Sequence, residues 1–283
     1  MGLLPFIKMH GLGNDFVIFD ARFETIELTH EELRVVASRR MGIGCDQIIT
    51  LEPSERADVF MRIHNADGGE VEACGNGTRC VAAHLMEEGE YNHLTIETLA
   101  GLLRVKRDGG SVSVDMGIAR HEWNEIPLAA PADTLHLSLN VGSPEAPALA
   151  DPVAINIGNP HVVFFVSDAV GTDLVRYGPE IEIHEMFPNR VNVSVAQVLD
   201  STTLRVQVWE RGVGLTAACG TAACAAFVAA ARRGLVGGKG TVQLDGGVLK
   251  VEWHQDGHVI MTGPASLSFI GKVDLDVLIK AKV

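Results

Sequence analysis

The sequence predicts an α+β fold of two pseudo-symmetric lobes, each a mostly antiparallel curved sheet wrapped around a central helix. Three observations carry that expectation. The chain repeats itself, the repeat is dominated by short runs that alternate apolar and polar residues, and each copy holds one small-residue helix that opens on Cys-Gly. Shifting the chain by 145 residues lays GNDFVIF at 13–19 on GNPHVVF at 158–164. The same shift lays Asn14 on Asn159, Gln47 on Asn192, Asn65 on Glu210 and Cys74 on Cys219. Register slips by one residue where CGNGTRC meets CGTAAC, then resumes at a shift of 146: TIETLAGLLRV at 95–105 falls on TVQLDGGVLKV at 241–251. Gly117 and Gly263 close the two copies.

In chain order, THEELRVVASRR at 29–40 reads as a helix, with Thr29 as N-cap and Glu32 completing a capping box. VFMRIHN at 59–65 and its counterpart LRVQVWE at 204–210 read as half-buried strands. GTRCVAAHLMEEG and GTAACAAFVAAARRG read as the central helices, ending at Gly89 and Gly234. Between the copies, five prolines mark a connector, with a strand expected at LHLSLNV. The tail SLSFIGKVDLDVLI alternates on its own and is expected to return to the first lobe. The expected division is an N-terminal lobe over 1–120, completed by the tail 266–283, and a C-terminal lobe over 121–265 that includes the Pro-rich connector 121–152.

Composition narrows the function classes. A net charge of −13 without a basic cluster argues against nucleic-acid binding. No apolar stretch reaches the roughly 18–20 residues of a membrane span, and the N-terminus does not read as a signal peptide. A soluble, cytoplasmic protein is expected. Five cysteines, an odd number, do not read as a disulfide framework in that setting.

Cys74 and Cys219 fall at helix N-termini, where unpaired N–H groups and the helix dipole favour an anion. A thiol there is expected to have a lowered pKa, and the same N–H groups are suited to a substrate carboxylate. Gly75 and Gly220 let a ligand approach the backbone. Two lobes related by duplication would bring one thiol to each face of a bound carbon, the arrangement needed for two-base proton exchange at a stereocentre. The competing readings are a zinc site, disfavoured by C-x5-C and C-x4-C spacings, and a Cys74–Cys219 disulfide formed on oxidation. Cys80 and Cys224 read as buried packing residues, and Cys45 as structural.

The motifs KMHGLGNDF, NADGGEVEACGNGTRC, GNPH, RVNV, WERGVG and ACGTAACA, in this order over essentially the whole chain, resemble diaminopimelate epimerase. The resemblance implies conversion of LL-2,6-diaminopimelate to the meso isomer, in bacterial lysine and peptidoglycan-precursor biosynthesis, with no pyridoxal phosphate, no other cofactor and no metal. It implies Cys219 as proton acceptor and Cys74 as donor for the LL substrate, with His161 and Glu210 tuning the thiols. It assigns substrate contacts to Asn14, Gln47, Asn65, Gly75, Asn76, Asn159, Asn192, Glu210, Arg211, Gly220 and Thr221, and implies a homodimer. The chemistry of these residues agrees. Arg211 suits a distal carboxylate gripped by two hydrogen bonds, and Glu210 suits an ammonium. Leu215, Ala73 and Thr78 depart from residues common in the family. A proline-racemase-like enzyme is the alternative, and a thiol-based redox or metal-binding protein lies further off.

Overall fold

Val59, Met61 and Ile63 are buried while Phe60, Arg62 and His64 between them are partly exposed, so the alternation along 59–65 marks a strand packed on one face. The computed structural model describes residues 3–72, 74–143 and 145–280. The chain divides into two units: one takes the residues up to Val114 and those from Gly263 onward, the other runs from Asp115 to Thr262. Ala73 and the tail end 281–283 lie outside the described residues.

The first unit builds a sheet from β1 (Leu4–Gly11), β2 (Asn14–Asp20), β3 (Gln47–Glu52), β4 (Val59–Asn65), β5 (Glu70–Val71), β6 (His93–Thr98), β7 (Gly101–Asp108) and the start of β8 (Ser111–Ile118). Pairing is antiparallel except for β2 with β3 and β4 with β6. Helix α1 (His30–Ala37) has the expected capping box: Thr29 caps the Glu32 amide and Glu32 reaches back to the Thr29 amide. It ends three residues earlier than the sequence pattern indicates. The Ile43 and Gly44 amides take the Val36 carbonyl, and Arg39 turns out to Asp15. Helix α2 (Gly75–Glu88) is buried along its first two turns and touches β1, β2, β6 and β7, so the sheet wraps it.

The second unit repeats the plan. Its strands are β9 (Val141–Ser143), β10 (Ala146–Leu149), β11 (Val153–Asn156), β12 (Pro160–Phe165), β13 (Asn192–Asp200), β14 (Thr203–Glu210), β15 (Gly214–Thr216), β16 (Lys239–Leu244), β17 (Gly247–Trp253) and β18 (His258–Gly263). Helix α3 (Leu174–Glu182) lies against β13 and β14, and α4 (Gly220–Arg232) is buried from Ala222 through Ala230 amid β11–β14, β16 and β17. The ladders keep the repeat register: Phe16 pairs with Gln47 as His161 pairs with Asn192, Ile63 with Val71 as Val208 with Thr216, and Val59 with Ile96 as Leu204 with Val242. The last hairpins differ by one residue, Val105 facing Val114 but Val251 facing Met261, because the second turn is longer.

Finally β19 (Ser266–Val273) pairs antiparallel with β1, and α5 (Leu275–Lys280) packs near α1, so the tail returns to the first unit. The sequence reads this tail as alternating throughout, whereas its end is helical. Leu275 is buried in the core cluster that contains Leu33 and Val36, and Leu278 packs against that cluster. The expected strand at LHLSLNV is also corrected, since only Val141 of it begins a strand. Leu137, Leu139 and Val141 alternate into the core with Phe164 and Val193, but most of the segment has no ladder partner. Its period comes from burial without sheet pairing. No helix among the described residues is long and apolar enough to cross a membrane.

Candidate active site

Each unit presents a cysteine at the N-cap of its buried helix, both in extended backbone, Cys74 with φ −148° and Cys219 with φ −131°. An extended N-cap aims the side chain back over the first amides of the helix. Gly77 N–H accordingly donates to Cys74 Sγ at 3.4 Å. Cys74 is partly exposed and Cys219 is buried.

In the first unit Gly75 and Asn76 follow Cys74 directly, and Asn14, Gln47 and Asn65 lie on β2, β3 and β4. The turn before Asn14 carries Gly13 at φ +88°, and its counterpart Gly158 has φ +89°, a conformation glycine adopts without strain. Each glycine precedes an asparagine, but Asn14 pairs with Gly11 in its hairpin whereas Asn159 lies in a turn one residue longer. Asn14 Oδ1 lies 3.9 Å from Cys74 Sγ and accepts from Asn76 Nδ2 at 3.2 Å. Gln47 and Asn65 pair across β3 and β4, with Gln47 Nε2 donating to Asn65 Oδ1 at 2.9 Å. The Gln47 amide oxygen is buried with no protein partner. Thr78, one of the departures, turns its hydroxyl to the Cys74 carbonyl at 2.8 Å, so its polarity is satisfied within the helix.

In the second unit Gly220 and Thr221 follow Cys219 directly, His161, Asn192 and Glu210 lie on β12, β13 and β14, Asn159 immediately precedes β12 and Arg211 immediately follows β14. Cys219 Sγ is 3.4 Å from Thr221 Oγ1 and hydrogen-bonds Glu210, whose Oε1 accepts from Thr216 Oγ1 at 2.5 Å. Burial, then the Glu210 charge, push the Cys219 thiol up, outweighing Thr221 and the Ala222 amide. A helix N-terminus alone predicts the opposite direction, so here desolvation wins. His161 is fully buried; burial, helped by the Arg211 charge, lowers it to about 3, so it stays a neutral imidazole. Its Nε2 lies 2.8 Å from Asn159 Oδ1, which makes that nitrogen the donor. His161 therefore orients Asn159.

Arg211 is exposed. Its backbone N–H donates to Asn192 Oδ1 at 3.0 Å and its guanidinium to the Asn189 carbonyl at 2.8 Å. Three further residues, Glu182, Asp46 and Arg79, support these groups and escape the sequence reading. Glu182 accepts from Trp209 Nε1 at 2.7 Å and from Gly212 N–H at 3.0 Å, pinning the hairpin that carries Glu210 and Arg211. Nothing in the sequence links Glu182 to that hairpin. Asp46 bonds Asn14, and Arg79 bonds Asn76. The three-residue spacing from Asn76 to Arg79, one helical turn, is the signal that could have found Arg79. Leu215 is exposed opposite Trp209 on β15. Among the described residues, no three His, Cys, Asp or Glu side chains gather as a metal set.

The fold occurs in solved structures. A Bacillus anthracis phenazine biosynthesis protein matches with TM-score 0.69 at 18% identity, over 97% of this chain and all of that one. A hydroxyproline epimerase from Agrobacterium vitis, with trans-4-hydroxy-L-proline bound, matches with TM-score 0.68 at 17% identity, over 97% of this chain and 93% of that one. These likenesses define the class by fold, an α+β architecture built from two similar halves. The family model described as diaminopimelate epimerase matches residues 6–122 and 153–268. Diaminopimelate epimerases of Rhodospirillum centenum and Phenylobacterium zucineum are 52% and 54% identical, each over 95% of this chain and over 91% and 97% of their own lengths. This chain belongs to the diaminopimelate epimerase family.

Proposed function

We propose that this chain is an isomerase converting LL-2,6-diaminopimelate to the meso isomer, with Cys74 and Cys219 as acid and base on opposite faces of one α-carbon. Family membership carries the reaction. The two-thiol mechanism is supported by one observation above the others: a cysteine N-caps a buried helix twice, in matching ladder register.

In the LL direction Cys219 takes the α-proton as thiolate and Cys74, as thiol, returns a proton to the other face. The surroundings suit those roles. Cys74 has the Asn14 oxygen as an acceptor, which favours the protonated donor form. The Cys219 thiol donates to the Glu210 carboxylate, so passing its proton to that carboxylate gives a thiolate without changing the total charge. Thr221 and the Ala222 amide then stabilise the thiolate. The substrate carboxylate is taken by backbone N–H groups at the two helix starts, which gain strength as negative charge builds on it. Gln47, Asn65, Asn159, Asn192, Gly75, Gly220 and Arg211 complete the recognition of the two amino-acid ends. The reaction uses no cofactor in this reading, the lobes divide near residue 120 with the tail completing the first, and the enzyme works as a cytoplasmic homodimer.

The test is incubation of reduced protein with LL-diaminopimelate in D₂O. Formation of the meso isomer with deuterium at the inverted α-carbon is expected. Retention of the LL isomer with no deuterium uptake would overturn the reading, and turnover of proline instead would move it to the racemase alternative.

A further inference from the structure

An arginine only donates hydrogen bonds and a carboxylate only accepts them, whereas a primary amide does one at each end. A row of amides between an arginine and a carboxylate therefore has a single orientation that satisfies every contact. Such a row runs beside Cys74. The fully buried Arg79 donates from Nη2 to Asn76 Oδ1 at 2.9 Å. Asn76 then turns Nδ2 the other way and donates to Asn14 Oδ1 at 3.2 Å. Asn14 in turn points Nδ2 at Asp46 Oδ2, 3.0 Å away. Asp46 is held by the Asp15 amide at 3.1 Å and by Arg39 at 2.7 Å, and Arg79 by the Pro264 carbonyl at 3.3 Å. Turning either amide over would set N–H against N–H or oxygen against oxygen. The same orientation brings Asn14 Oδ1 to within 3.9 Å of the Cys74 sulfur.

We propose that Arg79 and Asp46 are positioning residues that, from opposite ends of this row, fix the amides of Asn76 and Asn14 so that an acceptor faces Cys74. The proposal rests on reading Cys74, Asn14 and Asn76 as parts of the reaction site. It is peculiar to the first unit. Counted from the two N-caps, Arg79 corresponds to Cys224 and Asn76 to Thr221, and at the 145-residue shift Asp46 corresponds to Val191. The row is thus an asymmetry added to a duplicated frame. It gives Cys74 a partner for its proton, while Cys219 is set against Glu210.

Asp46 is the better position to test, because its side chain is 44% exposed whereas Arg79 is wholly buried and its replacement risks the fold. Asp46→Ala, Asn14→Ala and the double variant are compared with the wild type for kcat and KM on LL-diaminopimelate. Asp46→Ala is expected to lower kcat/KM about tenfold alone and less than about twofold in the Asn14→Ala background, because it acts through Asn14. An equal loss in both backgrounds, or no loss in either, would overturn the proposal. A second arm needs no substrate: the pH dependence of iodoacetamide alkylation at Cys74, read by mass spectrometry. With Asp46→Ala the Asn14 amide is free to turn N–H toward sulfur, so the alkylation midpoint is expected to move down. An unchanged midpoint would count against the orientation. Wild-type protein with no turnover of diaminopimelate would remove the functional reading, yet the alkylation arm would still decide this one.

Discussion

At the scale of single residues, environment outweighs position. Two cysteines occupy the same place at two helix N-termini, yet one is partly exposed beside an amide oxygen and the other is buried against a carboxylate. Because burial and Glu210 raise the Cys219 thiol, Glu210→Gln is expected to move its alkylation midpoint to lower pH, read by site-resolved mass spectrometry. A midpoint that stays or rises would contradict the account. The buried packing cysteines make a separate prediction. Burial pushes Cys45 and Cys80 up to about 12 from an ordinary value of 9.0. For an acid whose folded-state pKa is raised, the folded state holds the proton. The resulting stability is in place below the unfolded value and lost as pH climbs from about 9 toward 12. Thermal melting should therefore fall over that window, and fall less steeply in Cys80→Ala. The correspondence of Cys74 with Cys219 was legible at this scale because the repeat equates them. Arg79, Asp46 and Glu182 were not, because their roles arise from hydrogen bonds to a neighbour that carries the motif.

At the scale of elements, signals written in local chemistry read correctly. The Thr29–Glu32 box starts α1 where expected, and the glycines that precede Asn14 and Asn159 both take positive φ. Periodicity alone read less well. LHLSLNV alternates because it lies on the core, and a ladder needs partners that a period cannot announce. Thr29→Ala should lower stability by about 1 kcal/mol in chemical denaturation, with kcat/KM unchanged, since α1 supports the sheet and no reacting group. Gly178→Ala should behave differently. A Cβ there would lie 2.5 Å from Trp209 Cγ, next to the Glu182 bond that pins the Glu210–Arg211 hairpin. Loss of kcat/KM larger than the loss of folded fraction is expected, and proportional losses would contradict it.

At the scale of the whole chain, duplication explains why so much was legible. One strand–strand–helix plan is written twice, so each half checks the other; the inner ladders repeat register, while the first and last hairpins each differ by one residue. The tail breaks the symmetry by adding β19 to β1 and burying Leu275 beside α1. Truncation after Pro264 should strip that edge and make the first unit the early site of limited proteolysis, with fragments from the second unit persisting longer. The central claim, that two helix-capping thiols share one reaction, is tested most directly by Cys74→Ala and Cys219→Ala assayed for LL-to-meso conversion. Each variant, folded as judged by circular dichroism, is predicted to lose epimerisation. Substantial conversion by either one would contradict the two-thiol mechanism.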